Sequence, residues 1–391
     1  MAGKAVTLGK VRLIFTSLAS YGHLYPLLPL AVAARKAGHD VVFATAADFH
    51  PTVEKAGLEP VDIGLTIQDA FMAQYDGDLS KRNEVAPAEL EATIARVFSR
   101  VLPDRFIADL DAVFEKQRPD LLVYEIGNPG GAFAAMKAGI PAMGHGFGRV
   151  ATGGIADGIR TAIQEHAVEL GIAGDEQFSW GNPFVDICPP SVQSPEFLAG
   201  ARRLPLRPVG WSEPGDLPAG VVDHERPLVY LTLGTTPMSQ AHILTSAISG
   251  LAALDVDVLV ATGPSVDVAA LGEVPANVRL EAWVPQSELL PHVDLVVHHG
   301  GSGTTMGAFT AGVPQLVLPQ GADQFSNAEA VTAAGVGDQL VGDAVTTEAM
   351  REKARRLLAD SAVADAVRAL AAEVAAMPSP DEVAAQLPDY V

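Results

Sequence analysis

This chain reads as an α/β protein made of two doubly wound parallel-sheet domains, and three features lead there. Apolar runs of about five residues alternate with helix-period stretches from one end to the other. Such alternation implies parallel sheets with helices on both faces. A proline-rich stretch in which the periodicity lapses divides the runs into two series.

The first series predicts strands over Val11–Thr16, Asp40–Ala44, Glu59–Ile63, Leu121–Tyr124 and Ile140–Gly144. The second predicts them over Leu228–Leu233, Val256–Ala261, Val278–Glu281, Leu295–Val297 and Gln315–Leu318. Leu27–Ala37, after Pro26, is expected as a helix; Ser302–Ala311 lacks proline and can start one with hydroxyls in its first turn. Alanine-rich Ala362–Ala376 reads as a surface helix, and Asp381–Val391, after Pro378 and Pro380, as a short terminal one. The expected domains are residues 1–202 and 227–372, joined by a linker over 203–226 in which Pro205, Pro208, Pro214 and Pro218 forbid a helix. Residues 373–391 form the terminal segment. Ligands of such domains bind beyond the carboxyl ends of the strands, so the turns that follow strands are where chemistry is sought.

The 391 residues suffice for two cores, and the net charge of −21, from 26 basic and 47 acidic side chains, opposes adhesion to nucleic acid or anionic membrane. The lone Cys188 excludes an internal disulfide and reads as a packing residue near a strand end. The start has lysines but only a short apolar run broken by Arg12, too little for a signal peptide, and some eighteen consecutive apolar residues occur nowhere. The expectation is a cytoplasmic monomer or homodimer whose partners are small molecules, with no nucleic acid and no membrane. No short-period repeat or low-complexity tract is present.

The most informative stretch is Trp283-Val-Pro-Gln286, a strand, His298-His-Gly-Gly-Ser-Gly-Thr-Thr305, then Pro319-Gln-Gly-Ala-Asp-Gln324. It offers an aromatic plate, a glycine-rich anion cradle and a polar pair, in the order that grips a base, a diphosphate and a sugar. Strand, glycine turn and helix aim backbone N–H groups and a helix dipole at an anion. Gly300, Gly301 and Gly303 let a diphosphate approach without a Cβ in the way. His298 can donate to a phosphate oxygen, and Ser302 and Thr304 supply hydroxyls. Gly234, Thr235 and Thr236, after the first strand of the second domain, are expected to complete the diphosphate site. A lone glycine cluster is more often only a tight turn; the ordered set is what carries the reading.

This stretch resembles the donor-sugar box of family 1 nucleotide-sugar glycosyltransferases of the GT-B fold. The resemblance implies that Trp283, within a box that includes Val284 and Gln286, stacks on the base, that His298 binds the diphosphate, and that Asp323 and Gln324 hold sugar hydroxyls. It also implies that the terminal helix crosses back to the N-terminal domain. UDP-sugar members usually carry a Glu that grips both ribose hydroxyls where this chain has Met306. A thioether cannot accept two strong hydrogen bonds, so a dTDP-sugar donor is expected over a UDP-sugar.

The first strand leads through a glycine turn to His23 and Pro26, which resembles the family's acceptor-activating turn, where the His is the general base. An imidazole titrates near neutrality and suits removal of a hydroxyl proton. The family orients that His with an Asp after a P-D-L strand; here Pro119-Asp-Leu-Leu-Val-Tyr-Glu125 supplies a Glu, one methylene longer. The scheme needs no metal, and the compact pairs Asp109-Leu-Asp111 and Asp255-Val-Asp257 sit at no strand's carboxyl end. Leaving-group charge falls to the helix N-terminus, His298 and hydroxyls, and direct displacement inverts the anomeric centre. Phe71, Met72, Tyr75, His145, Phe147, Trp180 and Phe184 are candidate linings for a hydrophobic acceptor, although such residues are more often core.

Across nearly the whole chain the sequence is similar to actinomycete antibiotic-tailoring enzymes, among them the calicheamicin glycosyltransferases. Gly22-His-Leu-Tyr-Pro-Leu-Leu-Pro29, Val123-Tyr-Glu-Ile126 with Ala138-Gly-Ile-Pro141, and the His298 to Thr305 run carry that likeness. It implies an inverting transfer of a deoxysugar to a natural-product hydroxyl on an aromatic, enediyne or polyketide aglycone. Three rivals remain at this point: a nucleotide-sugar epimerase on the same fold, an NAD-dependent oxidoreductase whose fingerprint would be Gly301-x-Gly303-x-x-x-Gly307, and a noncatalytic protein on the same fold. The oxidoreductase fingerprint belongs on the first turn of its domain, and here several strands precede it. Calorimetry is expected to find dTDP bound more tightly than UDP; UDP binding at least as tightly overturns the reading of Met306.

Overall fold

The computed structural model describes residues 9–152, 154–172, 183–234, 241–263 and 273–391. Among the described residues, thirteen strands form two sheets in which every pairing is parallel. The first holds β1 (Arg12–Thr16), β2 (Asp40–Thr45), β3 (Glu59–Asp62), β4 (Leu121–Glu125), β5 (Ala142–His145), β6 (Phe184–Asp186) and β7 (Arg203–Pro205), in the order β3-β2-β1-β4-β5-β6-β7. The second holds β8 (Leu228–Thr232), β9 (Asp257–Ala261), β10 (Val278–Glu281), β11 (Leu295–His298), β12 (Gln315–Val317) and β13 (Gly337–Gln339), in the order β10-β9-β8-β11-β12-β13. Each order grows outward from its first strand and reverses once, between β1 and β4 and between β8 and β11. That reversal opens a crevice at the carboxyl ends of the two neighbours.

All ten expected strands occur, and four run one residue further at the carboxyl end than the apolar pattern, among them β4, which ends on Glu125, and β11, which ends on His298. The ladder thus fixes the backbone of both polar residues. Three strands have no counterpart in the sequence reading. β6 is three residues among prolines, β7 ends on a proline that only an edge strand tolerates, and β13 is Gly-Asp-Gln with no apolar period. Gly337 is required there, because a Cβ would lie 2.1 Å from the Gln315 carbonyl oxygen on β12.

Successive strand residues face opposite ways, so each apolar strand feeds two cores. In the first sheet Ile14, Val42, Ala44, Leu122 and Tyr124 meet Phe106, Leu110 and Phe114 of the helix Leu102–Gln117, while Leu13, Phe15, Phe43 and Val123 are buried on the other face. In the second, Val229, Leu231, Val258, Val260, Leu295 and Val297 pack with the helices Ala241–Ala252 and Thr347–Ala359. Leu228, Tyr230, Leu259 and Val296 pack oppositely against Leu289, Leu290 and Ala308.

The chain folds as two units. One comprises residues up to Ile187, Ser194–Leu206 and Pro378–Val391; the other Cys188–Gln193 and Arg207–Met377. In the first, Ser379 and Glu382 form a capping box that opens the helix Pro380–Ala384, whose Val383 and Ala384 are buried and whose Asp381 meets Lys36 at 2.7 Å. The stretch read as a linker carries packed structure: it opens on β7, and from Arg207 onward it lies on the second unit. There Ser212 meets the Ser287 hydroxyl, Val221 is buried, and Arg279 donates to the Ala219 carbonyl at 3.0 Å. Cys188 is buried. No described helix is long and apolar enough to cross a membrane.

The helices Leu102–Gln117 and Pro129–Ala138 cross closely: a Cβ on Gly130 would lie 2.6 Å from the Pro103 carbonyl oxygen and 2.9 Å from Phe106 Cβ. Gly130→Ala is therefore expected to cost about 1–3 kcal/mol by overpacking. Gly158→Ala, on the helix Gly154–Glu169 where a Cβ meets nothing, should be neutral or gain up to about 1 kcal/mol. Denaturant unfolding midpoints measure both, and equal midpoints would contradict the tight crossing.

Candidate active site

In the first unit β1 stops at Thr16, and after Ser17–Ser20 the chain turns into the short helix Tyr21–Leu24, which presents His23. Its neighbour β4 delivers Glu125 at the same end of the sheet. His23 Nδ1 lies 2.9 Å from Glu125 Oε2; the carboxylate has no exposure and the imidazole is about one-fifth exposed (20 %). This is an ion-pair approach that departs from a straight hydrogen bond. The other carboxylate oxygen, Oε1, accepts from the Gly127 N–H. Since a carboxylate only accepts, it favours the proton on Nδ1 and leaves the Nε2 lone pair for a substrate.

Gly127 has a steric reason to be glycine. A Cβ there would lie 2.7 Å from Glu125 Oε1 and 3.2 Å from His23 Cε1. Phe147, half-buried, packs its ring 5.0 Å from that of His23. Phe71 and Met72, on the helix Ile67–Met72, are also half-buried; Phe71 packs 6.3 Å from Phe98 and 5.8 Å beneath the Arg82 guanidinium.

Two expected acceptor contacts do not hold. Phe184 is the first residue of β6, wholly buried, and packs 4.8 Å from Phe197. His145 ends β5, also without exposure, and its Nδ1–H donates to the Gly146 carbonyl at 2.7 Å. Burial pulls its pKa down to about 4, only partly opposed by that bond, so the ring is neutral. Both belong to strands that put these side chains in the interior. Tyr75 is likewise buried, and Trp180 lies outside the described residues.

The second unit repeats the plan at the β8–β11 reversal. His298 is wholly buried; its Nε2–H donates to Gln315 Oε1 at 2.9 Å, and Nδ1 accepts from the Gly300 N–H at 3.1 Å. Burial, reinforced by the adjacent His299, pulls its pKa down to about 3. With both nitrogens engaged, the expected donation from His298 to a phosphate oxygen is not available in this arrangement. Gly300, at φ +93°, turns the chain so that its own N–H reaches back. The next imidazole faces the cradle instead: a Cβ at Gly234 or Gly301 would lie 2.6 Å or 2.5 Å from the His299 ring. Burial holds His299 below the usual imidazole range, with the Asp323 charge and a Thr232 backbone contact pulling the other way.

The helix Ser302–Ala311 starts at Gly301, which has no side chain to cap it, so its first-turn N–H groups are left to an anion. Gly303 is exposed, with open space where a Cβ would stand. Thr235 and Thr236 lie outside the described residues.

Most other polar residues of the donor box bind one another. Gln286 Oε1 accepts from Tyr230 at 3.3 Å and from Thr304 at 3.2 Å, which ties the Trp283 turn to the cradle helix. Ser302 donates to Asp323 Oδ2 at 2.7 Å, and Asn327 Nδ2 reaches the Gly300 carbonyl at 2.8 Å and that same carboxylate oxygen at 3.1 Å. Gln324 spends its Oε1 on the N–H groups of Gln320 and Gly321, at 2.8 and 3.2 Å. Asp323 Oδ1 and the Gln324 amide NH2 are outside these bonds. Val284 turns its side chain into the core, whereas Trp283 is half exposed (50 %) and lies on Gly215, where a Cβ would come 2.8 Å from the indole. Met306 is buried on the cradle helix (4 % exposed).

Sequence reasoning missed Gly127, Gly215, His299, Gln315 and Asn327. Only His299 was signalled, as the twin of the histidine chosen. Among the described residues no three His, Cys, Asp or Glu side chains are grouped to hold a metal ion. Asp109 is taken up by Arg105 and the Gly64 N–H, and Asp257 by Arg226.

Residues 32–214 match the model of the erythromycin biosynthesis protein CIII-like N-terminal domain, and residues 245–389 that of its C-terminal domain. The L-demethylnoviosyl transferase of Streptomyces niveus is 35 % identical over 347 residues, covering 84 % of this chain and 85 % of that one. The chain is an EryCIII-like glycosyltransferase. Among solved structures, the glycosyltransferase VinC in complex with dTDP is 27 % identical and superposes with a TM-score of 0.79 over 97 % of this enzyme and 99 % of VinC. The calicheamicin glycosyltransferase CalG4, at 22 % identity, shares the fold with a TM-score of 0.81 over 97 % of this chain and 98 % of its own. The fold is therefore GT-B, and the enzyme is one of the antibiotic-tailoring glycosyltransferases.

For this glycosyltransferase Gly127→Ala is expected to push the Glu125 carboxylate off His23. Displacements of this size cost on the order of a hundredfold in rate. Product formation measures it, and dTDP affinity by calorimetry should not change because the substitution lies outside the donor box. Wild-type activity in this variant would show that the contact does not matter.

Proposed function

We propose that the enzyme moves a deoxysugar from a dTDP-sugar to a hydroxyl of a hydrophobic aglycone of aromatic, enediyne or polyketide type, with inversion. The observation that carries this is the 2.9 Å approach of His23 to a Glu125 carboxylate without exposure. It favours the His23 tautomer whose Nε2 can take a proton. As the acceptor oxygen attacks the anomeric carbon, its proton passes to Nε2 and the bond to the diphosphate breaks. Glu125 stabilises the imidazolium that results.

The leaving diphosphate is met by the first-turn N–H groups of the helix Ser302–Ala311 and by His299, with His298 setting the turn from behind. Trp283 supplies the stacking face for the base, backed by Gly215. Asp323 and Gln324 supply the groups for the sugar. The scheme uses no metal. The buried Met306 side chain, in place of a ribose-gripping carboxylate, supports a deoxyribose, and dTDP is what VinC holds. The half-buried Phe71, Met72 and Phe147 support a hydrophobic acceptor.

A panel of dTDP- and UDP-sugars with phenolic and polyketide aglycones, followed by mass spectrometry, tests the reading. Mass shifts are expected with dTDP-deoxysugars; shifts only with UDP-sugars, or nucleotide release without any acceptor, overturn it, the latter in favour of an epimerase. His23→Ala should lose roughly a hundredfold to ten-thousandfold in rate. Near-full activity in Glu125→Gln beside an inactive His23→Ala would remove Glu125 from the scheme. His299→Ala should raise the KM for donor more than His298→Gln does, and the reverse order would restore the phosphate to His298.

A further inference from the structure

Several buried polar groups at the carboxyl end of the first sheet are not used by the mechanism. Ser17 Oγ, both side-chain polar atoms of Asn128, and His145 Nε2 have no protein partner, and all three residues have at most 0 % exposure. Glu125 and His145 are register partners on β4 and β5, and Ser17 follows Thr16, whose partner is Tyr124. Ser17, Glu125 and His145 therefore continue one row across three adjacent strands, spaced by about 4.8 Å. Asn128 joins the row from the turn after β4, where its N–H donates to the Glu125 carbonyl at 2.9 Å. It stands at the N-cap of the helix Pro129–Ala138, yet its side chain does not cap that helix.

The chemistry of the row defines what fits it. His145 spends its Nδ1–H on Gly146, so its Nε2 is only an acceptor. Beside it stands a carboxylate, also only an acceptor. Two acceptors side by side need a donor with two hydrogens between them. Ser17 and Asn128 can each both give and take. A buried polar group left unmatched costs about 1–3 kcal/mol, and a water with two to four such partners is the usual remedy. Atoms this deep are out of reach of an aglycone or a sugar.

We propose that Ser17, Asn128 and His145 hold a buried water that donates to the Glu125 carboxylate, which makes Asn128 and His145 positioning residues for the His23–Glu125 pair. The inference rests on the reading of His23 as the base. A crystal structure of the full chain is expected to show an ordered water within hydrogen-bond distance of His145 Nε2 and of Asn128 or Ser17. Asn128 turned onto the helix N–H groups, with His145 Nε2 bonded directly to protein, would overturn the site without touching the base reading. Asn128→Leu and His145→Phe should each lower kcat roughly ten- to a hundredfold, the worth of a hydrogen bond to a charge, with acceptor KM changed less than about twofold. His145→Gln, which restores an acceptor, should recover part of the rate. Heteronuclear NMR of the His23 ring should show the proton leaving Nδ1 in both variants, a change that simple loss of stability would not produce. Unchanged kcat and tautomer in both variants would overturn the positioning role, whereas an active His23→Ala would overturn the base reading alone.

Discussion

The adjacency of β1 with β4 sets everything at the carboxyl end of the first sheet. A doubly wound sheet reverses strand order once, and at that place the turns after two neighbouring strands diverge to opposite faces. His23 arrives from one turn and Glu125 stands at the end of the other strand, so two residues about a hundred positions apart meet at 2.9 Å. The β8–β11 pairing does the same for Gly234 and the cradle. A charged carboxylate withdrawn from water costs several kcal/mol unless it is paired and hydrogen-bonded. Gly127 and His23 supply those partners, and the ladder holds the carboxylate still while they do.

Both units use small residues to let polar groups approach. Gly127 admits the carboxylate, Gly234 and Gly301 admit an imidazole, and Gly215 admits an indole. The donor box is also bound together internally. Gln286 joins the Trp283 turn to the helix Ser302–Ala311, and Asn327 joins the glycine turn to Asp323 through the Gly300 carbonyl and that carboxylate. A ligand thus meets groups already fixed by one another, which lowers the ordering cost of binding.

Ten strands and the family were legible because buried parallel strands leave continuous apolar runs and because the donor box keeps its order. β6, β7 and β13 were not, since the first two are three residues set among prolines and the third is Gly-Asp-Gln, so none leaves an apolar run to read. Which turns gather the polar residues was legible, but not which way each side chain faces. Two histidines in succession carry the same sequence signal, and only Gln315, sixteen residues beyond the second, decides that His298 faces inward. Likewise Phe184 and His145 look like loop residues until β5 and β6 bury them. The pairing of His23 with a Glu longer than the family's Asp depended on the chain reaching the contact, which residue types alone do not tell.

The indole of Trp283 rests on Gly215, within a stretch that sequence alone treats as a spacer. Anyone recombining the two units of such enzymes would naturally cut just before β8. That cut separates Trp283 from Gly215 and Ser287 from Ser212, and it removes the buried Val221. A junction between Leu206 and Arg207 keeps Gly215 with Trp283 and Ser212 with Ser287, so that the exposed indole and its support travel as one piece.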